Sequence, residues 1–179
     1  MFDESALRYH IEFVTGVTTD TVTPAGREVG EGLLLWDFRQ CTRETLGGWQ
    51  VVQAEAVCRE GEGLSIAPQT SDPQLVSPEV YVDPMENSFR FARLRVAVQY
   101  PQVEPSEPYV SEWFWRDVSG NWNGSEERRL PIERDGSQRV YWTYIPASEI
   151  GQALTGLRFD PVNEQVQATV QWVAIDLVR

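Results

Sequence analysis

The sequence predicts an all-β chain, an antiparallel two-sheet β-sandwich. Three observations carry this expectation. The apolar residues fall in strand-length runs rich in β-branched and aromatic side chains, Gly, Pro, Asn and Asp punctuate the intervals, and regular alternation of strand and helix signals is missing. With 179 residues, 41% of them hydrophobic, the chain is long enough for one sizeable core and short for two.

Residues 1–32 read as an N-terminal arm or linker. Within it RYHIEFV (8–14) alternates Tyr9, Ile11 and Phe13 with polar neighbours, an added strand, and the Thr- and Gly-rich stretch 15–32 with Pro24 reads as a connection. Domain residues 33–179 carry nine strand signals, at 33–39, 49–57, 63–68, 74–80, 88–100, 110–117, 138–145, 154–162 and 167–178. The single helical signal is SEIGQAL (148–154), with Ser148 as its cap. Alternation assigns Ala92, Leu94, Val96, Val98 and Tyr100 to the core and Phe91, Arg93, Arg95, Ala97 and Gln99 to the other side. In the last strand Val173, Ile175 and Leu177 point one way, and Trp172, Ala174 and Asp176 the other. The sandwich therefore bears an outer face of arginines and aromatics.

Composition narrows the function. Twenty-seven acidic residues against fifteen basic ones give a formal charge of −12, which disfavours nucleic acid and anionic membrane as partners. All fifteen basic residues are Arg, so lysine Schiff-base and P-loop chemistry are absent. The one histidine, His10, rules out multi-histidine metal sites. Residues 1–14 lack the basic start and apolar run of a signal peptide, and no stretch of eighteen apolar residues occurs. Cys41 and Cys58, seventeen positions apart, are either a disulfide or two buried thiols.

WDF (36–38), GGW (47–49), GLSI (63–66), DPQLVSP (72–78), WFW (113–115), LRFDP (157–161) and AIDLV (174–178) follow in an order that resembles the galactose-binding-like jelly rolls, the β-sandwich modules that accompany many carbohydrate-active enzymes. The resemblance covers about 33–179 and implies a jelly roll with carbohydrate-binding function. It also implies a structural calcium ion held by Asp37 and Asp176, with Glu62 or Asp72 as further ligands, chemistry suited to a hard cation that takes oxygen donors.

Seven Trp and six Tyr are the strongest functional cue. Flat rings suit the apolar faces of sugars, and guanidinium groups suit their hydroxyls. Trp113, Trp115, Trp122, Trp142 and Tyr144 are the stacking candidates, with Arg95 and Arg158 as polar partners. Trp122, in the Gly- and Asn-rich loop SGNWNGS, is the ring least compelled to burial. Trp36, Trp49 and Phe114 are expected in the core. Arg158 and Asp160 fall on one side of a strand and form an ion pair, either fixing the strand end or meeting a ligand. EERR (126–129) reads as a solvated turn. Glu112, Asp117, Asp37 and Asp160 are acid-base candidates for glycoside cleavage, but no catalytic motif and no GxSxG elbow accompany them. The expectation is a non-catalytic carbohydrate-binding module whose partner is a glycan. A structural or protein-interaction domain packed on an adjacent domain is the alternative, and a sugar-active enzyme stands third.

Overall fold

The computed structural model describes residues 15–18, 34–42, 46–102, 110–124, 129–162 and 164–178. The strand signal at 8–14 and most of EERR lie outside these residues. Among them are thirteen strands, numbered β1 (Thr15–Thr18), β2 (Leu34–Asp37), β3 (Gln50–Val52), β4 (Ala54–Arg59), β5 (Gly63–Pro68), β6 (Gln74–Val76), β7 (Phe91–Gln99), β8 (Val110–Asp117), β9 (Trp122–Asn123), β10 (Arg129–Pro131), β11 (Gln138–Pro146), β12 (Leu154–Asp160) and β13 (Ala168–Val178). They form two antiparallel sheets, as expected. The first runs β1-β11-β7-β13-β5-β4, and β2 pairs with β13 on the flank it shares with β5. The second runs β10-β8-β12-β6-β3, with β9 also paired to β8. The arm contributes β1, which lies in the stretch 15–32 read as a connection rather than at 8–14, and which pairs with the edge of β11.

The core lies between the sheets, where alternation sends one side of every central strand. Leu94, Val96, Val98, Ile145, Val173 and Ile175 of the first sheet are fully buried. Trp113, Leu157, Phe159 and Leu75 of the second are fully buried opposite them in the same cluster. Burying each such side chain contributes about 1.5–3 kcal/mol. Tyr100 is 1% exposed and donates its hydroxyl to the Pro161 carbonyl, which satisfies the polar end of a core ring. Trp49 stacks edge-on against both Trp36 and Phe38, so that aromatic cluster is structural.

Three local features depart from expectation. The helical signal yields one turn, α2 (Ala147–Ile150), with Pro146 rather than Ser148 at its N-cap and no side-chain capping bond. An unpredicted turn, α1 (Pro84–Asn87), forms because Asp83 accepts from the Met85 and Glu86 N–H groups and Pro84 suits the first helical position. The β8–β9 hairpin places Trp122 opposite Arg116, with Asp117 closing the turn by accepting from Ser119 and Asn121 N–H. Cys41 and Cys58 form a disulfide, joining the 3-10 turn that follows β2 (Phe38–Gln40) to β4.

Candidate carbohydrate-binding faces

Each sheet turns one side away from the core, and the predicted site residues divide between these two outer faces and the interior. On the first sheet, strand register places Trp142 beside Arg95 and Tyr144 beside Arg93, with Phe91 and Pro146 next along the same two strands. Trp142 and Tyr144 meet edge-to-face at 5.5 Å between centroids, and Tyr144 meets Phe91 the same way at 5.8 Å. These three half-buried rings form a continuous row across β11 and β7. Gly16 of β1, which has no side chain, stands opposite Trp142 on its other flank.

Beside the row runs an ion network. Asp176 of β13 is 1% exposed and receives Arg93 Nη2 at 2.7 Å, Arg93 Nε at 2.8 Å and Arg95 Nη2 at 2.9 Å. A carboxylate this buried is tolerable only because two guanidinium groups meet both its oxygens. Arg95 also sits 5.5 Å from the Trp172 ring centre. Further along the same face Ala97, Val140, Trp172 and Ala174 form a buried apolar cluster, so the accessible part is the half with Phe91, Tyr144, Trp142 and Arg93. Arg93 keeps 32% of its side chain exposed and leaves donors for a ligand hydroxyl.

On the second sheet, Arg158 grips Asp160 through Nε at 2.7 Å and Nη2 at 2.5 Å and reaches Asp72 at 3.0 Å. The predicted ion pair is therefore formed. Burial, the largest influence, pushes the Asp160 carboxyl up to about 6; the Arg158 bonds oppose that rise, while the charges of Asp72 and Glu112 add to it. The Arg158 guanidinium lies 4.6 Å from the Phe114 ring centre. Phe114 accordingly belongs to this outer face and not to the core as expected, because strand alternation turns it opposite to Trp113 and Trp115. Gly124 lies against its other side, where any Cβ would fall 2.6 Å from Phe114 Cδ1. Trp122, 39% exposed, stands at the other end of this face near Arg116.

Two pairs of predicted residues are corrected by these positions. Trp113 and Trp115, at 0% and 5% exposed, point inward and pack in the core, Trp113 with its ring 4.6 Å from Phe159, so neither presents a surface to a sugar. Asp37 and Asp176 do not converge. Asp37 sits opposite Trp172, four residues from Asp176 along β13, a separation of about 13 Å that one ion cannot bridge. Asp37 is instead held by Arg39, whose Nε and Nη2 reach it at 2.8 and 2.5 Å and whose N–H caps it, lowering its pKa. Glu62 pairs with Arg59 at 3.6 Å and Asp72 with Arg158, so the four implied ligands are dispersed. The remaining candidates do not all converge: Trp142, Tyr144 and Arg95 come together on the first sheet, whereas Trp122 and Arg158 lie on the second. The sequence places Arg93 on the outer face but does not single it out as a site residue, and it gives no sign of Arg116, although both stand beside aromatics.

No family model matches the sequence, and no curated protein matches it. Among solved structures it is similar to the family 22 carbohydrate-binding and catalytic modules of a Clostridium thermocellum endo-1,4-β-xylanase complexed with xylohexaose, at TM-score 0.54 and 13% identity, covering 80% of this chain and 27% of that one. It is also similar to a family 15 xylan-binding module, at TM-score 0.54 and 12% identity, covering 84% of this chain and 99% of that one. A 4-O-methyl-α-glucuronidase with specificity for decorated arabinogalactans shares the fold at TM-score 0.51 and 9% identity, over 89% of this chain and 19% of that enzyme. The chain thus spans about a quarter of the xylanase structure and nearly the whole of the xylan-binding module. With its two antiparallel sheets, the chain has the jelly-roll β-sandwich fold of carbohydrate-binding modules.

Proposed function

We propose that the protein is a non-catalytic carbohydrate-binding domain that holds a glycan on the outer face of its first sheet. The observation that carries this reading is the Trp142–Tyr144–Phe91 row, half open to solvent and flanked on the same face by the Arg93–Asp176–Arg95 network. Aromatic rings take the apolar faces of sugar rings, and Arg93 donates to hydroxyls at the edge. The network matters as much as the rings. Asp176 fixes both guanidinium groups in place, so little side-chain entropy remains to be lost when a ligand arrives. Xylan is bound by a module of the same fold, which makes xylooligosaccharides the first ligands to try.

Isothermal titration with xylohexaose, followed by a wider glycan panel, tests the proposal. Binding by the parent protein that disappears in the Trp142→Ala, Tyr144→Ala double variant, with the melting transition retained, supports it. A protein that binds no glycan, or a double variant that binds as the parent does, favours the structural or interaction role.

A further inference from the structure

The second sheet carries a separate feature that the row on the first sheet does not use. Arg116 of β8 lies across β12 in the space left by the missing side chain of Gly156, whose Cβ would fall 3.3 Å from Arg116 Nε. Its Nε reaches Thr155 Oγ1 at 3.3 Å and its Nη2 the Thr155 carbonyl at 3.2 Å. The same carbonyl accepts the Val80 N–H at 3.1 Å, which brings the segment around Tyr81 alongside. Val82 is buried and bridges to Leu154, so alternation turns Tyr81 outward, where it is 61% exposed. On the opposite flank the Trp122 ring stands 5.7 Å from the guanidinium. An arginine floor over a glycine therefore lies between two exposed rings, which stand three strand spacings or about 14 Å apart.

The charge of this floor is what needs a partner. Arg39, Arg59, Arg93, Arg95, Arg139 and Arg158 each pair with a carboxylate. In a chain of net charge −12, Arg116 is half-buried and, among the described residues, no carboxylate reaches it. The neighbouring Asp117 spends its oxygens on Ser119, Asn121 and Asn123. At the other end of the strand pair, Glu112, Asp160 and Asp72 gather around Arg158 and repel an anion. Of the two ends of this strand pair, a ligand with a carboxylate is thus drawn to the Arg116 end.

We infer that the Trp122–Arg116–Tyr81 surface is a second glycan site, selective for a uronate-bearing sugar. Successive sugar rings of a short oligomer pack against Trp122 and Tyr81, and the carboxylate of the ring between them meets the guanidinium, whose planar fork matches it. The inference extends the glycan-binding reading to the opposite sheet without depending on the same residues.

Titration with trigalacturonate, its methyl ester and xylohexaose separates the two sites. A short oligomer is chosen because the overall negative charge opposes long polyanions. The acid should bind at least about tenfold more tightly than the ester, since one charge-assisted hydrogen bond is worth about that factor. Trp122→Ala and Arg116→Gln should each lose about that factor for the acid. Arg116→Lys should recover part of it, whereas Trp142→Ala should leave it intact. Should Arg116→Gln fail to fold, Trp122→Ala and Tyr81→Ala remove only exposed rings and keep the test decisive. Equal binding of acid and ester, no binding of trigalacturonate, or its loss in Trp142→Ala overturns the uronate site. Xylohexaose binding that survives such an outcome leaves the first-sheet reading standing, and acid binding at Trp122 with no glycan on the first sheet does the reverse.

Discussion

Asp160 shows how one buried carboxyl sets a pH response. Its native pKa, near 6, exceeds the usual carboxylate value of 3.8, so the folded state holds the proton more tightly than the unfolded chain. The stability that follows is complete below about pH 4 and is lost as pH rises through about 6, by at most roughly 3 kcal/mol. Asp160→Asn cannot titrate, so subtracting its stability profile from the parent's should leave a decline between pH 4 and 6; a flat difference would contradict the assignment. A second residue-scale prediction concerns Gly63, whose φ of +120° and approach to β13 leave no room for a side chain, since a Cβ would lie 2.5 Å from the Val170 carbonyl oxygen. Gly63→Ala should cost about 2–4 kcal/mol in urea unfolding through strain and a displaced β5. A loss below about 0.5 kcal/mol would mean that β5 yields easily.

At the scale of elements, the disulfide ties the 3-10 turn after β2 to β4 across seventeen residues. In the chain-entropy view that closure contributes about 3 kcal/mol. Replacing Cys41 and Cys58 with Ser should therefore lower the melting temperature by about 10 °C, and an unchanged midpoint would show that the two segments are held by packing alone. The strands themselves were legible in the sequence. The alternation in 91–100 named the buried side of β7 correctly, because a two-residue period with one side fully apolar admits only one register. The WFW run was legible only in part. Its alternation sends Trp113 and Trp115 one way and Phe114 the other, but nothing in the sequence says which side meets the opposing first sheet, so the sequence alone does not separate inward indoles from ligand contacts. The short β9 and β10 and the turn at α1 escaped notice because two to four residues carry no periodicity. Arg116 was hidden for a different reason: its position depends on Gly156, forty residues away, and only the pairing of β8 with β12 joins them.

Across the whole molecule, two sheets give two outer faces, and the paired charges differ between them. The first face pairs its arginines with Asp176 beside a row of rings, while the second leaves Arg116 without a carboxylate among the described residues. The same pairing bears on calcium. Asp37 and Asp176 are already neutralised by guanidinium groups and lie apart, so calcium and chelator should give the same melting temperature, and a midpoint that rises with calcium would place an ion elsewhere in the chain. The measurement closest to the central claim is a glycan panel read with the parent protein and the Trp142→Ala, Tyr144→Ala variant side by side. At least one glycan held by the parent should be released by the variant while its unfolding transition stays cooperative. A panel on which the two proteins behave identically would contradict glycan recognition by the first-sheet face.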